Sequence, residues 1–147
     1  MNILLVEPFF TGSHQDWAKG YQQHSQHHIE VLTLPGRHWK WRMHGGAVTL
    51  ARKFLESDFQ PDLILATDML DLTTFLALTR TRTARAPVAL YFHENQLAYP
   101  WSPTDQDVSL NRNNHYSFIN FTSALSADRI LFNSAYNQAS FLDGLGP

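Results

Sequence analysis

Five short apolar runs, at residues 3–6, 29–34, 63–66, 87–92 and 129–132, alternate with longer segments of helical periodicity. No other feature of the chain restricts its fold as much. Each run is too short to be a buried helix, and such runs match strands that are covered on both faces. The intervening segments predict helices over 13–23, 46–57, 71–78, 113–127 and 134–142, with Thr11 or Ser13, Asp71, Asn113 and Ser134 available as N-caps. The second helix is expected to turn Val48, Leu50, Ala51, Phe54 and Leu55 inward, and the fourth Phe118, Phe121, Ala124 and Leu125. Strand, helix, strand in steady alternation predicts an α/β fold with a doubly wound parallel sheet, one domain over residues 1–147, and strand order 3-2-1-4-5.

A parallel sheet gathers all its strand exits on one edge, where ligands bind. Here the exits carry Thr11-Gly12-Ser13-His14, then Arg37 to Arg42, Thr67-Asp68, His93-Glu94-Asn95, and Asn133-Ser134. Helix capping accounts for Asp71, Asn113 and Ser134, but not for His14, His93 or Glu94. Gly12 lets the backbone approach a ligand, although the full G-x-G-x-x-G phosphate fingerprint is absent. His93 suits a hydrogen bond to substrate or modest acid/base work, with Glu94 as a binding carboxylate. The alternative is a His–Glu pair satisfied within the fold. The zinc pattern H-E-x-x-H fails at Leu97, so no metal is expected.

The formal charge of −2 provides no global attraction to nucleic acid, which makes a local patch necessary for any such partner. The segment Arg37-His38-Trp39-Lys40-Trp41-Arg42-Met43-His44 is that patch. Cations interleaved with indoles suit phosphate contacts and base stacking on looped RNA. The other reading is a Trp packed beneath the domain inside a solvated basic rim. Residues 101–112 read as a mobile loop able to close over a ligand, while Arg80, Arg82 and Arg85 complement a helix C-terminus and carry no chemistry. The chain has no cysteine, which removes disulfide frameworks and fits a cytoplasmic protein. No run reaches the roughly 20 apolar residues of a membrane span, so no membrane partner is expected.

Four blocks carry a family resemblance: Met1 to His14, Leu34 to Arg42, Tyr91 to Pro100 and Phe132-Asn133-Ser134. Together, and in this order, they resemble the N-terminal domain of the tRNA-queuosine alpha-mannosyltransferase family. The resemblance implies the N-terminal half of a GT-B glycosyltransferase, related to family 4, in which two Rossmann-like domains face each other across a cleft. It further implies transfer of mannose from GDP-mannose, with retention, onto the cyclopentenediol of queuosine in the anticodon loop of a tRNA for aspartate. No resident cofactor is implied, since the nucleotide-sugar is a co-substrate, and the donor-gripping domain lies outside this chain. By position, Gly12 and Ser13 would approach the donor phosphates, His93 would lie beside the donor sugar as the catalytic residue, and Glu94 and Asn95 would bind hydroxyls. His14, Arg37, Trp39, Lys40, Trp41 and Arg42 would face the acceptor tRNA. The alternatives are a GT-B enzyme with another sugar or acceptor, and a stand-alone RNA-binding α/β module.

Overall fold

The computed structural model describes residues 1–146. Its centre is β1 (Asn2–Phe10), whose Ile3, Leu4, Leu5 and Val6 are all at most 1% exposed. A strand apolar on both faces needs a partner on each side and a helix layer above and below. The chain supplies these through α1 (Gly12–His24), β2 (His28–Pro35), α2 (Trp39–Glu56), β3 (Leu63–Thr67), α3 (Leu72–Thr83), β4 (Val88–Phe92), α4 (Gln106–Ser109), α5 (Asn114–Ser126), β5 (Arg129–Phe132) and α6 (Ala135–Gly144).

The strands form one parallel five-stranded sheet, in the order β2-β1-β3-β4-β5. The class is the expected Rossmann-like α/β fold, but the predicted order 3-2-1-4-5 is wrong. β3 pairs with β1, Leu5 opposite Leu65, instead of with β2. The reason lies in β2, whose exposed His28 and Glu30 and terminal Pro35 suit a sheet edge. The direction of winding therefore reverses between β1 and β3, and a crevice opens where their exits diverge.

One face of the sheet is covered by α1, with Ile3, Leu5, Ile29, Leu65 and Ala89 against Ala18, Trp17 and Tyr21. The larger core lies on the other face, where Leu4, Val6, Ile64, Leu90 and Phe92 meet Leu50, Phe54, Phe75, Ala124 and Phe141. Two inward-facing sets differ from expectation. In α2 the buried stripe is Met43, Ala47, Leu50, Ala51 and Phe54, leaving Val48 and Leu55 exposed. In α5, Phe118 and Leu125 point outward while Asn120 and Ser123 are fully buried. This helix crosses the strand exits, where free backbone groups need partners: Ser123 Oγ accepts from Leu72 N–H and donates to Leu70 O. Asn120 likewise accepts from Gln96 N–H and donates to Asp68 O.

Capping follows expectation in part. Asp71 accepts from Thr74 N–H and Ser134 from Asn137 N–H. Thr11 and Asn113 occupy N-cap positions without side-chain cap bonds. Arg82 does not serve its own helix terminus. It donates to the carbonyls of Phe54, Leu55, Ser57 and Phe59 and lies 4.5 Å from the Phe54 ring centroid, closing the C-terminal end of α2.

Candidate active site

The exits of β1, β3 and β4 bring four ionisable side chains together. Glu7, still inside β1, is wholly buried. Its Oε1 accepts from Phe9 N–H at 2.8 Å and its Oε2 accepts from His14 Nδ1 at 3.0 Å. His14 comes back to Glu7 because Gly12, the first residue of α1, turns the chain at φ +50°. The turn is pressed against the exit of β2, for a Cβ on Gly36 would lie 2.3 Å from the Thr11 side chain. His93, at the exit of β4, places Nε2 3.8 Å from the same Glu7 oxygen, with its ring centroid 4.1 Å from that of His14. Trp17 and Tyr91 stack on each other and meet the His93 ring edge-on. Asp68, at the exit of β3, accepts from His93 N–H at 2.9 Å through Oδ1, whereas Oδ2 has no partner.

Burial and charge divide these groups into distinct protonation states. Burial alone would lower the His14 pKa, but the hydrogen bond and charge of Glu7 outweigh it and hold the imidazole above its ordinary value. For His93, burial and the neighbouring His14 act together and push the pKa down to about 3, so the ring is neutral. Burial drives Asp68 up to about 8, which leaves it a neutral acid at pH 7. Only Glu7, His14 and His93 place three potential metal-ligand atoms within 4.8 Å of one another among the described residues. The carboxylate and His14 already bond each other there.

Beyond His93 the chain forms a tight loop. Asn95 is buried and donates to Asn137 Oδ1 at 2.7 Å and Ser140 Oγ at 3.0 Å, while its own Oδ1 accepts from Ala98 N–H. Asn137 donates in turn to Phe92 O and Asn133 Oδ1. Glu94, by contrast, is exposed on the rim. It lines two cavities. One, of about 330 Å³, contains Gly12, Ser13, His14, Trp39, Phe9 and Tyr99; the other, of about 290 Å³, contains His93, Asn95, Asn133, Ser134 and Tyr136. Tyr99 shares both, so Glu94 and Tyr99 form a partition across the cleft.

The basic segment is not the loop its composition predicts. Its last six residues, Trp39 to His44, are the start of α2, which begins behind His38 in left-handed conformation, φ 55°. Trp39 packs among Tyr99, Trp101 and Tyr116. Lys40 Nζ lies 2.7 Å from Asp105 and 2.6 Å from Asp107, and both carboxyls are held below their usual range chiefly by that hydrogen bond. The predicted mobile loop at 101–112 is thereby tethered, with Tyr116 donating to Asp107 at 2.9 Å as a further tie. Arg37 is exposed, Trp41 is 73% exposed, and Arg42 spends its Nε on Pro35 O. Of the anticipated acceptor-side set, His14 and Trp39 thus reach the first cavity, Lys40 and Trp41 border a separate hollow beside His44, and Arg37 and Arg42 line neither.

A profile described as tRNA-queuosine alpha-mannosyltransferase N-terminal matches residues 2–147. The chain belongs to this family. It is also similar to the tRNA-queuosine alpha-mannosyltransferase of Drosophila melanogaster, at 35% identity over 147 residues, 99% of this chain and 37% of the fly protein. The chain therefore spans a little over a third of the length of that relative. Within the family's domain, Glu7 and Asp68 lie buried behind the cleft and Phe9 and Tyr99 line it; the sequence placed Asp68 at a strand exit but gave none of the four a role. Glu7 had a legible signal, a carboxylate continuing an apolar strand where burial is costly unless paired. Asp68 resembled any polar strand exit.

Proposed function

We propose that the chain is the acceptor-side, N-terminal domain of a retaining GT-B glycosyltransferase. As a full-length cytoplasmic protein, it transfers mannose from GDP-mannose to queuosine in the anticodon loop of a tRNA for aspartate. The observation carrying this reading is the family match across residues 2–147, reinforced by a cleft built where His14, His93 and Glu94 meet. The longer fly relative leaves room for a second, donor-binding domain opposite this edge. No resident cofactor or metal takes part, and the isolated domain is inactive because it holds only one wall of the cleft.

In the transfer, the acceptor hydroxyl oxygen bonds to the anomeric carbon on the face from which the diphosphate leaves. The bond from that carbon to the diphosphate oxygen breaks, and the hydroxyl proton departs on the GDP. The demand on the protein is alignment of the reactants and stabilisation of the leaving group. The turn at Gly12 and Ser13 suits close approach to the diphosphate. His93, uncharged and fixed through its backbone by Asp68, contributes a hydrogen bond to the sugar without adding charge. Asn95, bonded to Asn137 and Ser140, acts by holding the loop that carries both His93 and Glu94.

Mass spectrometry of queuosine-containing tRNA, incubated with full-length protein and a panel of nucleotide-sugars, tests the assignment. A hexose added only from GDP-mannose is the expected result. Addition from another donor would move the chain to a related GT-B activity, and RNA binding without any transfer would favour a binding module. His93→Ala should abolish transfer and leave tRNA affinity within a few-fold; wild-type turnover by that variant would remove His93 from the chemistry.

A further inference from the structure

Glu94 is the one exposed acidic side chain of the cleft among the described residues, and it forms no ion pair, although its charge helps to raise the His14 pKa. Glu7 is bonded to His14, and Asp68 holds its proton at neutral pH. No Lys, Arg or His of the described residues pairs with Glu94. Its carboxylate accepts a single long hydrogen bond, 3.4 Å from Gln96 Nε2. On the larger-cavity side, the neighbouring walls are the rings of Phe9, Trp39 and Tyr99, the latter two with centroids 5.6 Å apart. A carboxylate beside several aromatic faces is the chemistry of a cation site, because ring quadrupoles and the charge attract the same ligand.

We infer that Glu94, with Trp39 and Tyr99, binds the protonated secondary amine of queuosine, and so acts as the positioning residue that sets the acceptor diol against the donor. This deepens the proposed function and rests on it. Queuosine carries its cyclopentenediol on an aminomethyl nitrogen that is cationic at neutral pH, and the accepting hydroxyls lie a short carbon spacer away. Anchoring the amine at the partition formed by Glu94 and Tyr99 would leave the diol facing the second cavity, where His93 lies. Guanosine, the nucleoside that queuosine replaces, has no such amine. The charge therefore distinguishes modified from unmodified tRNA, and Glu94 binds the acceptor rather than the donor.

The test uses the full-length protein and the free base queuine, with binding measured by calorimetry alongside its amine-acetylated derivative. Wild type should bind queuine about tenfold or more tightly than the acetylated base, the scale of one charge-assisted hydrogen bond. Glu94→Gln, which keeps shape and loses charge, should bind both forms equally and weakly, while Glu94→Asp should keep part of the preference. In the transfer assay, Glu94→Gln should raise KM for queuosine tRNA and also lower kcat, since an unanchored amine leaves the diol misaligned with the donor. Discrimination against acetylation that persists in Glu94→Gln would make the effect steric and overturn the inference. So would equal binding of both bases by wild type, even where mannose transfer proceeds normally. Absence of transfer with amine-dependent binding intact would instead count against the proposed reaction and in favour of the site.

Discussion

A carboxyl removed from water keeps its proton, and wholly buried Asp68 is held near 8 for that reason. Its unfolded counterpart ionises near 3.8, so between these values the folded chain binds a proton that the unfolded chain lacks. The stability linked to this group is full below about pH 4, falls as pH rises, and levels off above about pH 8. Asp68→Asn keeps an oxygen for His93 N–H and cannot ionise. We expect urea midpoints of the two proteins to be close at pH 5 and the variant to gain on wild type up to pH 8.5; parallel profiles would mean that Asp68 is ionised in the fold. His93 acts in the opposite sense. With a folded pKa of about 3 against 6.5 when unfolded, it withdraws stability as pH falls below about 6.5. His14 differs from His93 through Glu7, since burial acting alone would lower both. Glu7→Gln should therefore move the His14 imidazole titration, followed by nuclear magnetic resonance, to lower pH than in wild type.

At the level of elements, the polar part of the tie between α2 and the 101–112 segment rests on one lysine, beside the packing of Trp39 on Trp101. Lys40 contacts two carboxylates and lies 5.8 and 5.4 Å from the Trp39 and Trp101 ring centroids. Exposed ion pairs add little to global stability, but here the pair decides whether a short helix stays docked. Lys40→Met should accelerate amide exchange across residues 105–112 and leave the sheet amides unchanged; uniform protection in the variant would assign the docking to Tyr116 and the tryptophans instead. Lys40 also marks where the sequence stops being legible. Strand and helix positions followed from local apolar periods, as did the caps at Asp71 and Ser134. What a charged residue meets across 65 positions leaves no local trace, so Lys40 resembled a phosphate contact and Asp105 and Asp107 resembled loop polarity. The strand order failed for a related reason: β2 and β3 are both apolar runs, and the features that send β2 to the edge, His28, Glu30 and Pro35, are weak beside the shared pattern. His14, His93 and Glu94 were visible because no capping or packing rule requires them there. Glu94 and Asn95, adjacent in sequence, separate into a rim group and a buried one only through the partners Asn137 and Ser140.

For the whole molecule, the net charge of −2 means that the tRNA proposed as acceptor would be held on this chain by a local set of cations, and the fold reduces that set. With Lys40 neutralised by Asp105 and Asp107, the exposed Arg37 and the partly exposed Arg42 remain, both following the exit of β2 in sequence, as does the exposed Trp41. A phosphate contact releases counterions, and each one lost flattens the dependence of log affinity on log salt by roughly 0.7 for a single-stranded loop. Arg37→Ala and Arg42→Ala in the full-length protein are thus each expected to lower the slope by about that amount, with the double variant near the sum because neither residue depends on the other. Trp41→Ala should weaken binding at every salt concentration without altering the slope, since stacking displaces no counterions. Lys40→Met is expected to leave the slope unchanged. A slope that falls in Lys40→Met as far as in either arginine variant would show that the ion pairs to Asp105 and Asp107 open on the tRNA, making the 101–112 segment a part that moves when the acceptor binds. Filter binding across a salt series, with queuosine-containing tRNA and all five variants, separates the two arrangements.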